Sequence, residues 1–323
     1  MDEFIASQNL ELTKRDLEWL DRNGKEQNIR VIFDTDEDYP MRLQAIPDRP
    51  FGLYVKGRLP EDDLPSIAMV GARDATPYGI EAAKYFSREL AEMGVQIISG
   101  LARGIDSCSH KGALQCPYGS TFAVLGSGID VVYPRTNRYI YDQMAEQGGV
   151  ISEYLPGTQP LRYNFPNRNR IISGLSDGVF IIEARKKSGT MITADQATEQ
   201  GKDVFCLPGR YYDSLNFGCM DLINNGAKLV YEPRQIFDEI GAGEQLSLAL
   251  SQVRSASELG PALPPDSPES YLLKFLSNEP HDIDYLVAKS HMSVTQVLTT
   301  LTNLEILGIA MTQDRRHFSI KTR

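Results

Sequence analysis

Tryptophan occurs once and histidine and cysteine four times each in 323 residues. Cys108, Cys116, Cys206 and Cys219 form no CxxC pair and sit beside no histidine cluster, so neither a zinc site nor a disulfide framework is indicated. They are expected as reduced, buried thiols, and no metal or cofactor is expected. No apolar run approaches the ~18 residues of a membrane span, and the opening MDEFIASQNL lacks the basic-then-apolar form of a secretion signal. A cytoplasmic protein with no membrane partner is expected. Catalytic signatures are also missing: there is no GxSxG, no HExxH, no paired-carboxylate spacing and no GxxxxGK followed by Ser or Thr. Positive charge is in deficit, with a net charge of −10, which argues against a general nucleic-acid binder.

That deficit is uneven. Residues 1–63 carry 9 Lys and Arg against 15 Asp and Glu, residues 64–240 carry 17 against 19, and residues 241–323 carry 7 against 9. More than half of the excess acid therefore lies at the N-terminal end. Within the near-neutral middle, residues 154–176 hold Arg162, Arg168 and Arg170 and no acid.

Four regions follow from the pattern. Residues 1–60 read as a small N-terminal appendage, with one amphipathic helix over Thr13–Asn23, an apolar Val31-Ile32-Phe33 and then a proline-punctuated stretch. Residues 61–241 alternate short apolar runs with helical stretches. Strands are expected at Ile67–Val70, Val95–Ser99, Thr121–Leu125, Gly178–Glu183, Asp203–Leu207 and Lys228–Tyr231. Helices are expected at Pro77–Met93, Ile105–Gln115, Asn137–Gln147, Asn167–Leu175, Met191–Gln200 and Leu215–Asn225. This is the form of an α/β, Rossmann-like, doubly wound, mostly parallel sheet. Residues 242–267, rich in Ser, Ala, Gly and Pro, read as a linker. Residues 268–323 hold three helical patterns, Tyr271–Leu276, Ile283–Ala288 and Val294–Leu307 with Ser293 as N-cap. Two short strands, Ile309–Met311 and His317–Ile320, follow them around Asp314-Arg315-Arg316. That is the layout of a winged helix.

Ligands of open α/β sheets bind beyond the carboxyl ends of the strands, and here those positions are rich in Gly and Arg. Gly71 and Arg73 follow the first run, before a helix whose N–H groups can hold a phosphate. Gly100 to Gly104, with Arg103 between them, offers a second cradle. His110 on the next helix reads as a packed residue. Gly126-Ser127-Gly128 begins like a dinucleotide fingerprint but lacks the third glycine and runs into Tyr133-Pro134-Arg135, so it fails as an NAD site. Asn167, Arg168, Asn169 and Arg170 gather two arginines at a helix start, where the macrodipole disfavours them. Either an anion ligand or pairing with Glu153 or Glu183 accounts for this. Ser188, Gly189 and Thr190 open a further helix with free hydroxyls and N–H groups. Tyr133, Tyr163 and Phe165 lie close by and suit either the core or base stacking.

Taken together, the segments VGARDATPYG, SGLARGIDSCSH, AVLGSGIDVVYPR, the run from Ile151 to Ala197 and VFCLPG resemble the DprA or Smf family of DNA-processing proteins. The resemblance spans Tyr39 to Tyr231. It implies a core that binds single-stranded DNA, protects it and loads the RecA recombinase during natural transformation, acting as a homodimer and not as an enzyme. It also implies DNA contacts by Arg73 and Arg135, with Asn167–Arg170 in the same pocket, and a dimer surface at Met220, Leu222 and Ile223. The chain departs from the family at Ser109, where GIDxxAH places a different small residue, and in a reduced N-terminal region. Two alternatives stand beside this reading. A nucleotide phosphoribohydrolase-like enzyme shares the superfamily, but its PGGxGTxxE pattern is absent at Glu183–Thr190. A winged-helix regulator is the other, although Val294–Leu307 carries no Lys or Arg.

Overall fold

The computed structural model describes residues 28–241, 268–273, 275–276, 281–290, 292–306, 310–312 and 317–320. The expected helix over Thr13–Asn23, the linker 242–267 and the wing tip with Arg315 and Arg316 lie outside the described residues. The chain divides into two units, Met1–Leu250 and Ser251–Arg323.

In the first unit the apolar runs become the interior of a nine-stranded sheet. Its strands are β1 (Ile29–Phe33), β2 (Gly52–Gly57), β3 (Ser66–Val70), β4 (Gln96–Ser99), β5 (Thr121–Val124), β6 (Gly149–Ser152), β7 (Gly178–Ile181), β8 (Asp203–Cys206) and β9 (Lys228–Leu229). The spatial order is β1-β2-β6-β5-β4-β3-β7-β8-β9. From β6 to β9 all neighbours are parallel, while β1 to β2 and β2 to β6 are antiparallel. Every residue of β3, β4, β5, β6 and β7 is buried, as expected of parallel strands covered on both faces.

The helices are α1 (Met41–Gln44), α2 (Pro77–Glu92), α3 (Ile105–Ala113), α4 (Arg138–Gln147), α5 (Asn164–Gly174), α6 (Gly189–Glu199), α7 (Phe217–Asn224) and α8 (Pro233–Glu239). Alternate strand residues feed opposite layers. Phe122 and Val124 pack with Leu43 of α1, Ile171 and Ile172 of α5 and Ala194 of α6. Phe180 and Phe205 pack with Phe86 and Leu90 of α2, while Ala123 meets Ile140 and Met144 of α4. Each fully buried phenylalanine or leucine contributes about 1.5–3 kcal/mol through removal from water.

Two expectations change. β6 was not foreseen, and residues 29–57 are no separate appendage. Tyr54 to Gly57 pair with Gly149 to Ser152, so β1 and β2 extend the core sheet beyond β6. A parallel strand left at that edge would expose unpaired backbone, and the β1–β2 pair covers it.

The second unit contains α9 (Pro268–Leu273), α10 (Ile283–Ser290) and α11 (Val294–Ile306), with β10 (His281–Asp282), β11 (Ala310–Thr312) and β12 (His317–Ile320) in the order β10-β12-β11. Leu272, Leu286, Val297, Leu301, Leu304 and Phe318 form its core. Ser293 caps α11 as expected: its hydroxyl accepts from the Gln296 N–H, and the Gln296 amide oxygen accepts from the Ser293 N–H.

Candidate functional site

The chain runs outward from β3 through β4, β5 and β6, then crosses to β7 on the other side of β3. This reversal opens a crevice between the loops that follow β3 and β7, the standard ligand position in an open α/β sheet. A cleft of about 330 Å³ lies there, lined by Gly71, Ala72, Arg73, Ala102, Arg162, Phe165, Arg185, Ser188, Gly189, Thr190 and Thr193. A second cleft, of about 270 Å³, lies beyond the ends of β4 and β5 and is lined by Gly100, Arg103, Gly126, Ser127, Tyr133 and Pro134. Arg73, Ala102 and Phe165 line both.

Phe165 is the wall between the clefts. The Arg73 guanidinium lies 5.0 Å from its ring centre and Tyr133 5.8 Å from it. The Arg168 guanidinium approaches the ring at 5.9 Å. A cation held over an aromatic face keeps its remaining donors directed outward. Arg73, Arg162 and Arg185 are exposed and form no ion pair among the described residues, and the same holds for Arg135, just after the Pro134 that lines the second cleft.

At the first cleft the N-terminus of α6 is open. Ser188 makes no capping hydrogen bond, its hydroxyl donates back to the Arg185 carbonyl, and the first turn has no acid. Open space surrounds Gly189. The uncompensated N–H groups and positive end of the helix dipole thus face a cleft containing three unpaired arginines.

The N-terminus of α2 is closed. Buried Glu183 accepts from the Thr76 backbone N–H at 2.9 Å and from the Thr76 hydroxyl, which in turn accepts from the Gly79 N–H at 3.1 Å. This corrects the expectation of a phosphate on that helix end, since the protein supplies its own anion there.

The other arginines sort by partner. Arg168 is 3% exposed and donates to the Gly100 carbonyl at 2.9 Å and to the Val124 carbonyl. Burial lowers its pKa to about 10, so it stays charged at neutral pH and faces buried Asp106, whose own carboxyl is pushed up chiefly by burial. Arg170 makes two 2.8 Å bonds to Glu153 and a 3.0 Å contact with Asp48. Both are thus engaged by the protein's own carbonyls and carboxylates, although Arg168, like Asn169, also lines the first cleft. Arg103 is exposed but paired with Asp74. Asn167 is exposed and lines neither cleft, and Asn169 donates weakly to the Gly189 carbonyl at 3.4 Å.

Several glycines serve packing. A side chain at Gly126 would strike Phe165, and one at Gly128 would strike the Leu155 carbonyl. The Gly128 N–H is already bonded to Thr158 at 2.9 Å, so it is no anion donor. Gly104 sits at φ +84°, and a Cβ there would overlap the Ala72 carbonyl, so only glycine lets the loops after β3 and β4 touch.

His110 is fully buried. Its Nδ1 lies 2.7 Å from Thr121 Oγ1, whose own proton goes to the Ile97 carbonyl, so the imidazole donates. Burial, with Arg168 adding to it, lowers its pKa to about 3. It is a neutral core residue, as expected.

Sequence reasoning did not assign Arg162 or Arg185 to the site. Their signals were present, Arg162 in the acid-free run 154–176 and Arg185 ahead of Lys186 and Lys187. Of the expected dimer residues, Leu222 and Ile223 pack against the core, while Met220 is half-buried.

A switch-point crevice with unpaired guanidinium groups and an open helix end, in a chain that also carries a winged helix, defines a Rossmann-like protein whose crevice has the chemistry to take an anion. Comparison with known proteins narrows this class. The family model for DNA recombination-mediator protein A matches residues 30–241, and that for the DprA winged helix domain matches residues 256–313. The chain belongs to the DNA recombination-mediator protein A family, the DprA or Smf proteins. It is 36% identical to protein Smf of Synechocystis over 88% of this chain and 78% of that one. It is 44% identical to DNA processing protein DprA of Streptococcus pneumoniae over 63% of this chain and 72% of that one. The X-ray structure of the pneumococcal protein matches with a TM-score of 0.62 at 42% identity, over 66% of this chain and 75% of that one. A Helicobacter pylori DprA structure, described for its single-stranded DNA binding mode, matches with a TM-score of 0.58 at 30% identity, over 66% of this chain and 95% of that one.

Proposed function

We propose that this protein binds single-stranded DNA along the two clefts, protects it, and passes it to the RecA recombinase during transformation, acting by binding rather than by catalysis. The observation that carries the proposal is the shared wall. Arg73 and Phe165 line both clefts, and the unpaired Arg162, Arg185 and Arg135 lie on or beside them, so one flexible backbone can follow cations while its bases meet exposed aromatic rings. Tyr163 is 64% exposed and Tyr133 47% exposed, which suits stacking. Phosphate contacts carry no sequence information, so recognition is largely sequence-independent. The overall charge of −10 confines attraction to this crevice and favours paired protomers. Self-association through the half-buried Met220 and the neighbouring surface belongs to the same proposal, as does transfer to RecA, which fits the family's description as a recombination mediator. Residence in the cytoplasm agrees with the absence, among the described residues, of any helix long and apolar enough to cross a membrane.

The test is a titration of labelled oligonucleotide at several salt concentrations. Four arginine contacts predict a log–log slope near −3, from roughly −0.7 per phosphate on single strands. A slope near zero, or equal affinity for duplex and single strand, overturns the reading.

A further inference from the structure

A third cavity, of about 650 Å³, lies at the same end of the sheet and is absorbed by neither cleft. It is lined by Thr76, Pro77, Tyr78, Glu183, Pro208, Gly209, Arg210, Asp213 and Asn216. Its size falls within the ~300–1,000 Å³ of small-ligand pockets. Chain neighbours divide between it and the first cleft: Asp74, Ala184, Arg185 and Leu215 line the cleft, while Thr76, Glu183 and Asn216 line the cavity. The two spaces therefore lie on either side of the same three backbone segments.

Their chemistry differs. The first cleft offers unpaired guanidinium groups and a free helix end. The cavity sets two carboxylates, Glu183 and Asp213, against one guanidinium, Arg210, among proline and tyrosine carbon. A phosphate is repelled there, whereas a flat neutral ring with polar edges is not. Tyr78 supplies the platform: it is 55% exposed, and its hydroxyl donates to the Pro208 carbonyl at 3.0 Å, which holds the ring in place. The Glu183 carboxylate, held by Thr76, is an acceptor for an amino or imino hydrogen. Asn216 is 4% exposed and its amide nitrogen has no hydrogen-bond partner, with Gly209 packed closely against it. A buried donor without a partner is costly, and an acceptor on a ligand edge recovers that cost when the amide turns toward it.

We infer that this cavity is a nucleobase subsite, taking one base of the strand whose phosphates lie in the adjoining cleft, stacked on Tyr78 and bonded at its edge by Asn216 and Glu183. The inference rests on the strand-binding reading and adds a place where a base, rather than the backbone, is held.

The test uses the full chain and an oligonucleotide of about eight nucleotides, a length within the usual range for one domain. One abasic position is moved along the strand, and affinity is measured for the unaltered protein and for the Y78A, Y78F and N216A variants. A stacked base contributes about 1–3 kcal/mol, so Y78A is expected to weaken the intact strand roughly tenfold and to make one abasic position cost nothing further. Y78F, which keeps the ring but loses its tether to Pro208, is expected to weaken the strand less than Y78A and to retain the cost of that abasic position, N216A to reduce that cost, and the salt slope to stay unchanged in all three. A Y78A variant that retains the cost of every abasic position overturns the subsite while leaving strand binding intact. Failure of the unaltered protein to bind the strand overturns both readings. The deoxynucleoside monophosphates are titrated in parallel. Tyr78-dependent binding of one of them that leaves strand affinity untouched assigns the cavity to a free nucleotide and overturns the strand subsite.

Discussion

Two helices begin at the same edge of the sheet, and their N-termini are treated in opposite ways. α2 ends against Glu183, which neutralises its first N–H groups and dipole from within the protein. α6 ends against solvent, with no acid, no capping bond, and Arg73, Arg162 and Arg185 around it. Helix starts are equally attractive to anions in isolation, so the fold makes one a structural joint and leaves the other open as the proposed binding site by deciding where a carboxylate lies. The arginines divide likewise. Arg168 and Arg170 are satisfied inside, whereas Arg73 and Arg135 form no ion pair among the described residues, and Arg73 rests only against the Phe165 ring.

The sharpest way to break this division is to remove an inward arginine. R168A leaves Asp106 without its opposing charge and frees the Gly100 and Val124 carbonyls, at a cost of about 3–5 kcal/mol. Calorimetry should show a large fall in Tm. An unchanged Tm would mean that Arg168 is free to serve a ligand. The outward arginine should behave conversely. R73E is expected to lower affinity for single strands by roughly 100-fold or more, since a charge-assisted hydrogen bond of about 1.5–3 kcal/mol is replaced by repulsion, with Tm barely moved.

A pH titration reaches the buried histidine between these regions. The folded His110 pKa is depressed to about 3, so below the unfolded value of about 6.5 only the unfolded chain takes the proton. Stability is then full above about pH 7 and falls as pH drops toward 3, by up to ~1.4 kcal/mol per unit. Asp106, with its raised carboxyl, has the opposite sign. Denaturant unfolding of wild type and H110Q isolates the imidazole: the difference between them should shift by about 2 kcal/mol from pH 7 to 5. The smallest effect converts one helix end into the other. S188D gives α6 its own acid, which should raise stability by about 0.5–1 kcal/mol and weaken strand binding roughly threefold to tenfold. Tighter binding would show that α6 is not the anion site.

Much of the fold was legible because six parallel strands are continuous apolar runs and their helices carry start signals, as at Thr76-Pro77 and Ser293. β6 escaped because it is only four residues, opens on the second of two adjacent glycines and ends on a serine. The edge role of β2 depends on pairing with a strand far along the chain, which local pattern does not encode. In the site, sequence located the glycine and arginine loops but not the state of each charge. Whether Arg168 faces a ligand or Gly100, and whether Glu183 faces solvent or Thr76, is settled by contacts between distant segments.

The β1–β2 extension also bears on the order of events during synthesis. β1 and β2 are made before β3 to β6 and pair with each other, yet the other edge of β2 has no partner until β6 has been made, and β3 to β5 must be aligned to hold β6 in place. The β1–β2 pair thus joins the sheet only after the whole stretch from β3 to β6 has been made, and until then β2 keeps one unpaired edge. Non-local pairing of this kind slows folding. Until β6 arrives, that free edge of β2 is a place where two unfinished chains could pair with each other.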